Sequence, residues 1–384
     1  QNRASDGVVK SYLWSARGMS DTTIGSFIKA SKDAGKLGIF DYGFETYQDN
    51  ISAWNNETMP NGSLESTFGP VANGSKYGYT SLYIQNTYPL IKNKLDLISG
   101  GRYTYVTANV GPSEDPTSPG GTYAPFSRSF NFATGSGKLL WHMDDNGHYD
   151  SWYSISQGAR APTIFDFSGD ELARSYELQT PNPNITPESF LTYETGFKTS
   201  FDNFTSGITF YYNDIQNMIT RVPTGAIIDG DYQVVAKNGG HGHNEGIELN
   251  ASYRFTPEWT TFGYFNWQDG QVTGYKLNDP TSQSMTTPSR LTPINGLIGT
   301  RYADQSNKWW IQTDIQLVAS QDRLSYGDKF DTTRMPPNGT PGYVIANLRG
   351  GYEVSKNFSL SASVLNLNNE YYRSHGSGMN GQGI

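Results

Sequence analysis

The chain has 384 residues, is 35% hydrophobic yet 14% aromatic, and contains 42 Gly, 19 Pro and no Cys. The missing Cys exclude disulfides and metal–thiolate sites, and the aromatic content argues against disorder. A net charge of −8 gives no electrostatic footprint for nucleic acid, and no apolar run is long enough for a membrane helix.

Taken in order, Val8 to Ala16 and Thr22 to Ala30 are expected strands, followed by a long one from Lys36 to Trp54. Tyr77 to Tyr88 and Leu95 to Val110 form a hairpin over Lys92-Asn93-Lys94. Phe130 to Trp141 and Tyr149 to Ala159 pair over Asp144-Asp145-Asn146-Gly147, where the carboxylates suit a turn. A loop carrying Asp170-Glu171 then leads to Phe190 to Phe201, which pairs with Phe204 to Asn217. The next segment, with Thr224-Gly225, Asp229-Gly230 and Asn238-Gly239-Gly240, reads as another long loop. Three more hairpins are expected: Gly246 to Phe255 with Trp259 to Gln268, Leu297 to Tyr302 with Trp309 to Ala319, and Tyr343 to Val354 with Phe358 to Leu367.

Short and long connections alternate along this list. Short periplasmic turns and long extracellular loops are the habit of outer-membrane barrels. Strict alternation supports the same fold class, an all-β antiparallel transmembrane β-barrel. Leu191, Tyr193, Thr195, Phe197, Thr199 and Phe201 oppose Thr192, Glu194, Gly196, Lys198 and Ser200. Phe197, Leu249, Ile315 and Leu360 are expected to face lipid, and Glu194, Asn250, Gln316 and Ser361 the lumen. Aromatics gather beside the turns at Phe201 and Phe204, Phe255 and Trp259, and Trp309 and Trp310. A soluble sandwich with one wet face fits the alternation but not the segregated loop lengths.

The count comes to about fifteen strands, an odd number where single-chain bacterial barrels have even ones. An open or gapped sheet is therefore expected, from a chain that is itself a fragment.

Arg160-Ala161-Pro162, then Asn182-Pro183-Asn184-Ile185-Thr186-Pro187-Glu188, then Tyr193-Glu194-Thr195-Gly196-Phe197-Lys198 resemble the barrel of TonB-dependent outer-membrane receptors. So does the tail from Asn366 to Gly378. The resemblance covers residues 1–384 and implies a partial barrel, its family form having about 22 strands around a plugged lumen. It implies that about six N-terminal strands, one C-terminal strand, the plug and the TonB box lie outside this chain. It further implies an outer-membrane location, no catalysis, no cofactor, and three partners: the TonB complex, outer-membrane lipid and a siderophore-like ligand. Haem-uptake members place a His between the Arg-Ala-Pro and Asn-Pro-Asn boxes; none stands between Pro162 and Asn182.

The expected ligand contacts are Arg174, Tyr176, Arg221, Tyr232, Arg323, Tyr326 and Arg334, all on long loops. Glu194 and Lys198 are expected on the lumen face, touching neighbouring strands or the plug. His241 and His243 are the only close His pair and could share a metal with Glu245, but the surrounding glycines favour solvated histidines. The resulting expectation is active uptake of a scarce solute, a ferric siderophore. The competing readings are a plug-free porin-like channel and a secreted β-rich adhesin or lectin.

Overall fold

A computed structural model describes residues 2–3, 9–10, 14–115, 118, 121–169, 174–228 and 230–381. Among these, fourteen strands make one wall. They are β1 (Trp14–Asp33), β2 (Ile39–Thr58), β3 (Ser75–Ile91), β4 (Leu95–Val110), β5 (Phe126–His142), β6 (Tyr149–Arg160) and β7 (Glu188–Ser200). They continue as β8 (Phe204–Ile228), β9 (Asp231–Arg254), β10 (Trp259–Lys276), β11 (Asn295–Ala303), β12 (Trp309–Val318), β13 (Tyr343–Ser355) and β14 (Phe358–Val364). Each pairs antiparallel with the next.

The two faces differ as a membrane wall requires. On β12, Trp309, Ile311, Ile315 and Leu317 are 41–47% exposed, while Asp314 between them is 2% exposed. Phe197, Leu249 and Leu360 are likewise exposed. An apolar band of this extent is unstable in water and stable in lipid. Ile315 and Leu360 are not packed between sheets, so the sandwich reading fails.

Glycine and aromatic residues are coupled across the wall. Gly18 lies opposite Trp54, Gly25 opposite Tyr47, Gly43 opposite Tyr83, Gly196 opposite Trp152, Gly246 opposite Tyr211 and Gly351 opposite Trp310. A Cβ at Gly196 would lie 2.1 Å from the Trp152 ring, and one at Gly25 2.2 Å from that of Tyr47. The ring occupies the space the glycine leaves, an arrangement known to pin register and shield bare backbone.

Two expectations need correction. The first strand is not two strands: β1 pairs with β2 without interruption from Trp14 to Asp33, with Trp54 covering Gly18. The wall count is therefore fourteen, and the odd-number argument falls. Residues 8 and 11–13 of the first expected strand lie outside the described residues, as do Asp170 and Glu171. Second, the expected loop after Asn217 is a ladder: β8 and β9 run 25 and 24 residues and pair out to Ile228 opposite Asp231. The Gly and Asn signals there mark register shifts, with Asn217 and Gly239 at positive φ, rather than the end of pairing. β10 similarly runs on to Lys276 and pairs with Asp279–Thr286.

The strand order runs round as a ring that sets β14 beside β1, and the gap expected in the sheet lies at that junction. That seam differs from every other junction. Among the described residues no residue-by-residue ladder joins the two strands. All seven residues of β14, and nearly all of β1, are exposed.

The largest apolar cluster lies at the long-connection end of the wall. Ile51, Ala53, Val71, Ala72, Ala108, Val110, Ile164, Phe167, Ile185 and Ala236 pack there, with Phe126, Phe130 and Ile219 against them. Long connections thus fold inward and close part of the barrel mouth.

Candidate functional site

The connection from β6 to β7 is the centrepiece of that mouth. Its short helix α1 (Ile164–Ser168) is started by Thr163, whose hydroxyl accepts from Asp166 N–H while the Asp166 side chain accepts from Thr163 N–H. Phe167, fully buried, stacks on Phe130 and meets Phe126 edge-on. Arg160 donates to Glu188 and to Asp166, each at 2.6 Å. Burial works against the Arg160 charge, but the two carboxylates outweigh it and raise its pKa. Glu188 also accepts from Ile219 N–H at 2.9 Å.

The asparagines of the second box fasten the same connection to the β8–β9 hairpin. Asn182 donates to the Ala236 carbonyl at 2.7 Å. Asn238 accepts from Thr186 N–H and donates to the Thr186 carbonyl, while Asn217 donates to the Pro187 carbonyl. The boxes are thus read by backbone groups of the chain itself. Glu188, Asn217 and Asn238 were missed as anchors, because the partners named here lie 28 to 52 residues away; Asp166 was missed although Arg160 stands only 6 residues before it.

Beneath this connection lies a cavity of about 430 Å³. Of the seven expected ligand residues, Arg174, Arg221 and Tyr326 line it, together with Asp166, Glu177, Gln179, Thr273 and Ser289. Tyr176, Tyr232, Arg323 and Arg334 do not line it. Tyr176 is 49% exposed in a left-handed conformation, and its carbonyl accepts from Tyr232 N–H at 2.8 Å. Arg323 pairs with Asp269 at 2.8 Å, and Arg334 lies 3.4 Å from Asp331.

Arg174 donates to Ser289 Oγ at 2.7 Å and lies against Gly327, where a Cβ would collide with its guanidinium. Ser289 in turn donates to Asp328, which also accepts from Arg290 N–H. Asp328 is 1% exposed within α2 (Tyr326–Phe330). Burial opposes its ionisation, yet these donors and the nearby Arg174 charge lower its pKa. Arg221 donates Nε to Gln179 at 3.1 Å. Its side chain is 37% exposed to the open cavity, but protein surrounds it, and that desolvation lowers its pKa, with Glu177 opposing.

Lower in the lumen, Glu194 accepts from Trp152 Nε1 at 2.7 Å, and Lys138 sits over the same ring. Lys198 lines a second hollow of about 560 Å³ with Trp152, Glu248, Asn250 and Asn266. Elsewhere on the wall Arg102 meets Glu45, Tyr79 and Ser81, and Arg349 meets Asp314.

His241 and His243 are not on a loop: both lie in β9. His243 stacks on Tyr212, and His241 N–H donates to Thr273. Among the described residues no group of three or more His, Asp or Glu is placed to hold a metal.

A family model described as "TonB dependent receptor-like, beta-barrel" matches residues 5–367. No curated protein matches. Solved structures share the fold at low identity. The copper transporter OprC aligns with TM-score 0.74 and 17% identity over 96% of this chain and 56% of its own. The ferric-catecholate import receptor Fiu of Escherichia coli K12 gives 0.67, 17%, 96% and 54%. The ferric yersiniabactin uptake receptor FyuA of Yersinia pestis gives 0.65, 15%, 96% and 52%. The chain thus spans about half the length of these structures. The family match covers most of its residues, and the chain belongs to the TonB-dependent receptor β-barrel family. Its members are outer-membrane proteins of Gram-negative bacteria.

Proposed function

We propose that this member of the TonB-dependent receptor family forms barrel wall for a receptor that captures a ferric siderophore outside the cell and imports it actively. The TonB complex and outer-membrane lipid are its partners on this reading, and no step is chemical catalysis. The observation that carries the reading is the cavity at the barrel mouth, into which Arg174, Arg221 and Tyr326 converge from three separate stretches of chain. Guanidinium groups in a partly desolvated hollow suit the anionic oxygens of a chelate. Siderophore receptors stand among the structural neighbours, which supports the substrate class by analogy.

The test is iron uptake by cells lacking their own siderophore receptors and supplied with the full-length receptor. Uptake of a ferric chelate that stops on deleting TonB or collapsing the proton gradient supports the proposal. Uptake unaffected by either treatment would instead favour a porin-like channel.

A further inference from the structure

The mouth cavity contains a carboxylate that lacks what a buried carboxylate needs. Glu177 is 3% exposed. It opens the short strand Glu177–Thr180, which pairs parallel with Tyr232–Val235 of β9, and its own N–H donates to the Arg174 carbonyl. The backbone therefore fixes where its side chain sits. Glu177 Oε1 lies 3.5 Å from Arg174 Nη1, and Oε2 lies 3.5 Å from Arg221 Nη1. Those separations are charge contacts, too long for good hydrogen bonds. Oε2 is buried without any hydrogen-bond partner among the described residues.

An ionised oxygen withdrawn from water and given no donor is costly, and native structures seldom leave one so. Arg174 and Arg221 are turned partly to other acceptors, Ser289 Oγ and Gln179 Oε1. The hollow thus offers, side by side, an acceptor that lacks a donor and a guanidinium that lacks a full anionic partner. A ligand meets both demands when a donor and an anionic acceptor are adjacent on it.

We propose that Glu177 is a specificity-determining residue of the mouth cavity, selecting a chelate whose edge carries an ammonium beside a carboxylate, as in a free α-amino acid end. The ammonium donates to Glu177 Oε2 while the carboxylate takes Arg221. This inference rests on the uptake reading above and narrows its substrate class.

The test uses the full-length receptor in proteoliposomes. The probes are gallium trihydroxamate complexes ending in a free α-amino acid, or in the same end N-acetylated. Wild type should bind the free-amine probe roughly tenfold or more tighter, the scale of one charge-assisted hydrogen bond. Glu177→Gln, which keeps the shape and removes the charge, should erase that preference, read as the ratio of the two probes' affinities. Equal binding of the two probes by wild type would overturn the inference, and that comparison requires no variant to fold. A preference unchanged in Glu177→Gln would overturn it too, showing that another group of the cavity sets the preference. Binding of neither probe alongside TonB-dependent uptake of other ferric chelates would end this inference and spare the uptake reading; absence of all TonB-dependent uptake would end both.

Discussion

Single residues decide whether the mouth stays assembled. Arg160 bridges Asp166 and Glu188, and Glu188 is only 6% exposed. Arg160→Gln should leave that carboxylate short of a donor, at a cost of about 1–3 kcal/mol once the partial exposure of Arg160 is discounted. Limited proteolysis should then cut residues 161–187 faster, and the double variant Arg160→Gln/Glu188→Gln should recover part of the loss. Unchanged cleavage would mean that the apolar packing of Phe167 alone holds the connection. At the opposite rim His142 contacts Asp150 at 2.7 Å and Asp96 at 3.1 Å, and bonding to these carboxylates raises its pKa. A raised folded-state pKa stabilises below the unfolded His value, and the gain is lost as pH rises through the folded value. Wild type should therefore exceed His142→Gln in thermal stability near pH 5–6, with the difference vanishing towards pH 9. A difference that grew with pH would assign the residue a neutral hydrogen-bonding role.

At the scale of elements, the wall was legible where residues of one strand carry the whole message. β12 alternates in sequence as it does in exposure, so its lipid face could be read directly. Reading failed where pairing with a distant strand overrides a local signal. Gly18 looks like a break until Trp54 covers it, and the Gly and Asn residues of 217–240 look like loop until β8 and β9 are laid side by side. The mouth shows the same limit: Arg323 is absorbed by Asp269, which no spacing rule connects to it, whereas Glu177 drew no notice among ordinary loop carboxylates. The glycine–aromatic pairs explain the unusual composition and yield a prediction. Gly196→Val should displace the Trp152 ring and break its bond to Glu194, destabilising by about 1–3 kcal/mol. A red shift in tryptophan emission together with a lower unfolding temperature would bear this out; unchanged emission would mean that the wall yields instead of the ring. Outward-facing Ile315→Arg should cost about 2–4 kcal/mol at mid-membrane, and lumen-facing Gln316→Arg less. Refolding yields into lipid vesicles measure the contrast, and equal yields would refute the assigned faces.

At the scale of the whole molecule, the seam between β14 and β1 decides what residues 1–384 can do alone. Every other junction of the wall satisfies its backbone through a residue-by-residue ladder, whereas these two strands are adjacent in order and without one among the described residues. In hydrocarbon each unpaired N–H or C=O costs several kcal/mol, so water or another strand must meet the groups along this seam. Fourteen strands could close a small barrel in principle, since the number is even. The structural neighbours nevertheless align with 96% of this chain while retaining over two-fifths of their own length outside the match. The expectation is that residues 1–384, refolded alone into detergent, give no compact fast-migrating species on unheated gels, and that amides of Trp14–Asp33 exchange far faster than those of Leu95–Val110. A heat-modifiable monomer with both strands equally protected would show the seam fully paired, and it would move the functional reading from a gated receptor towards an open channel.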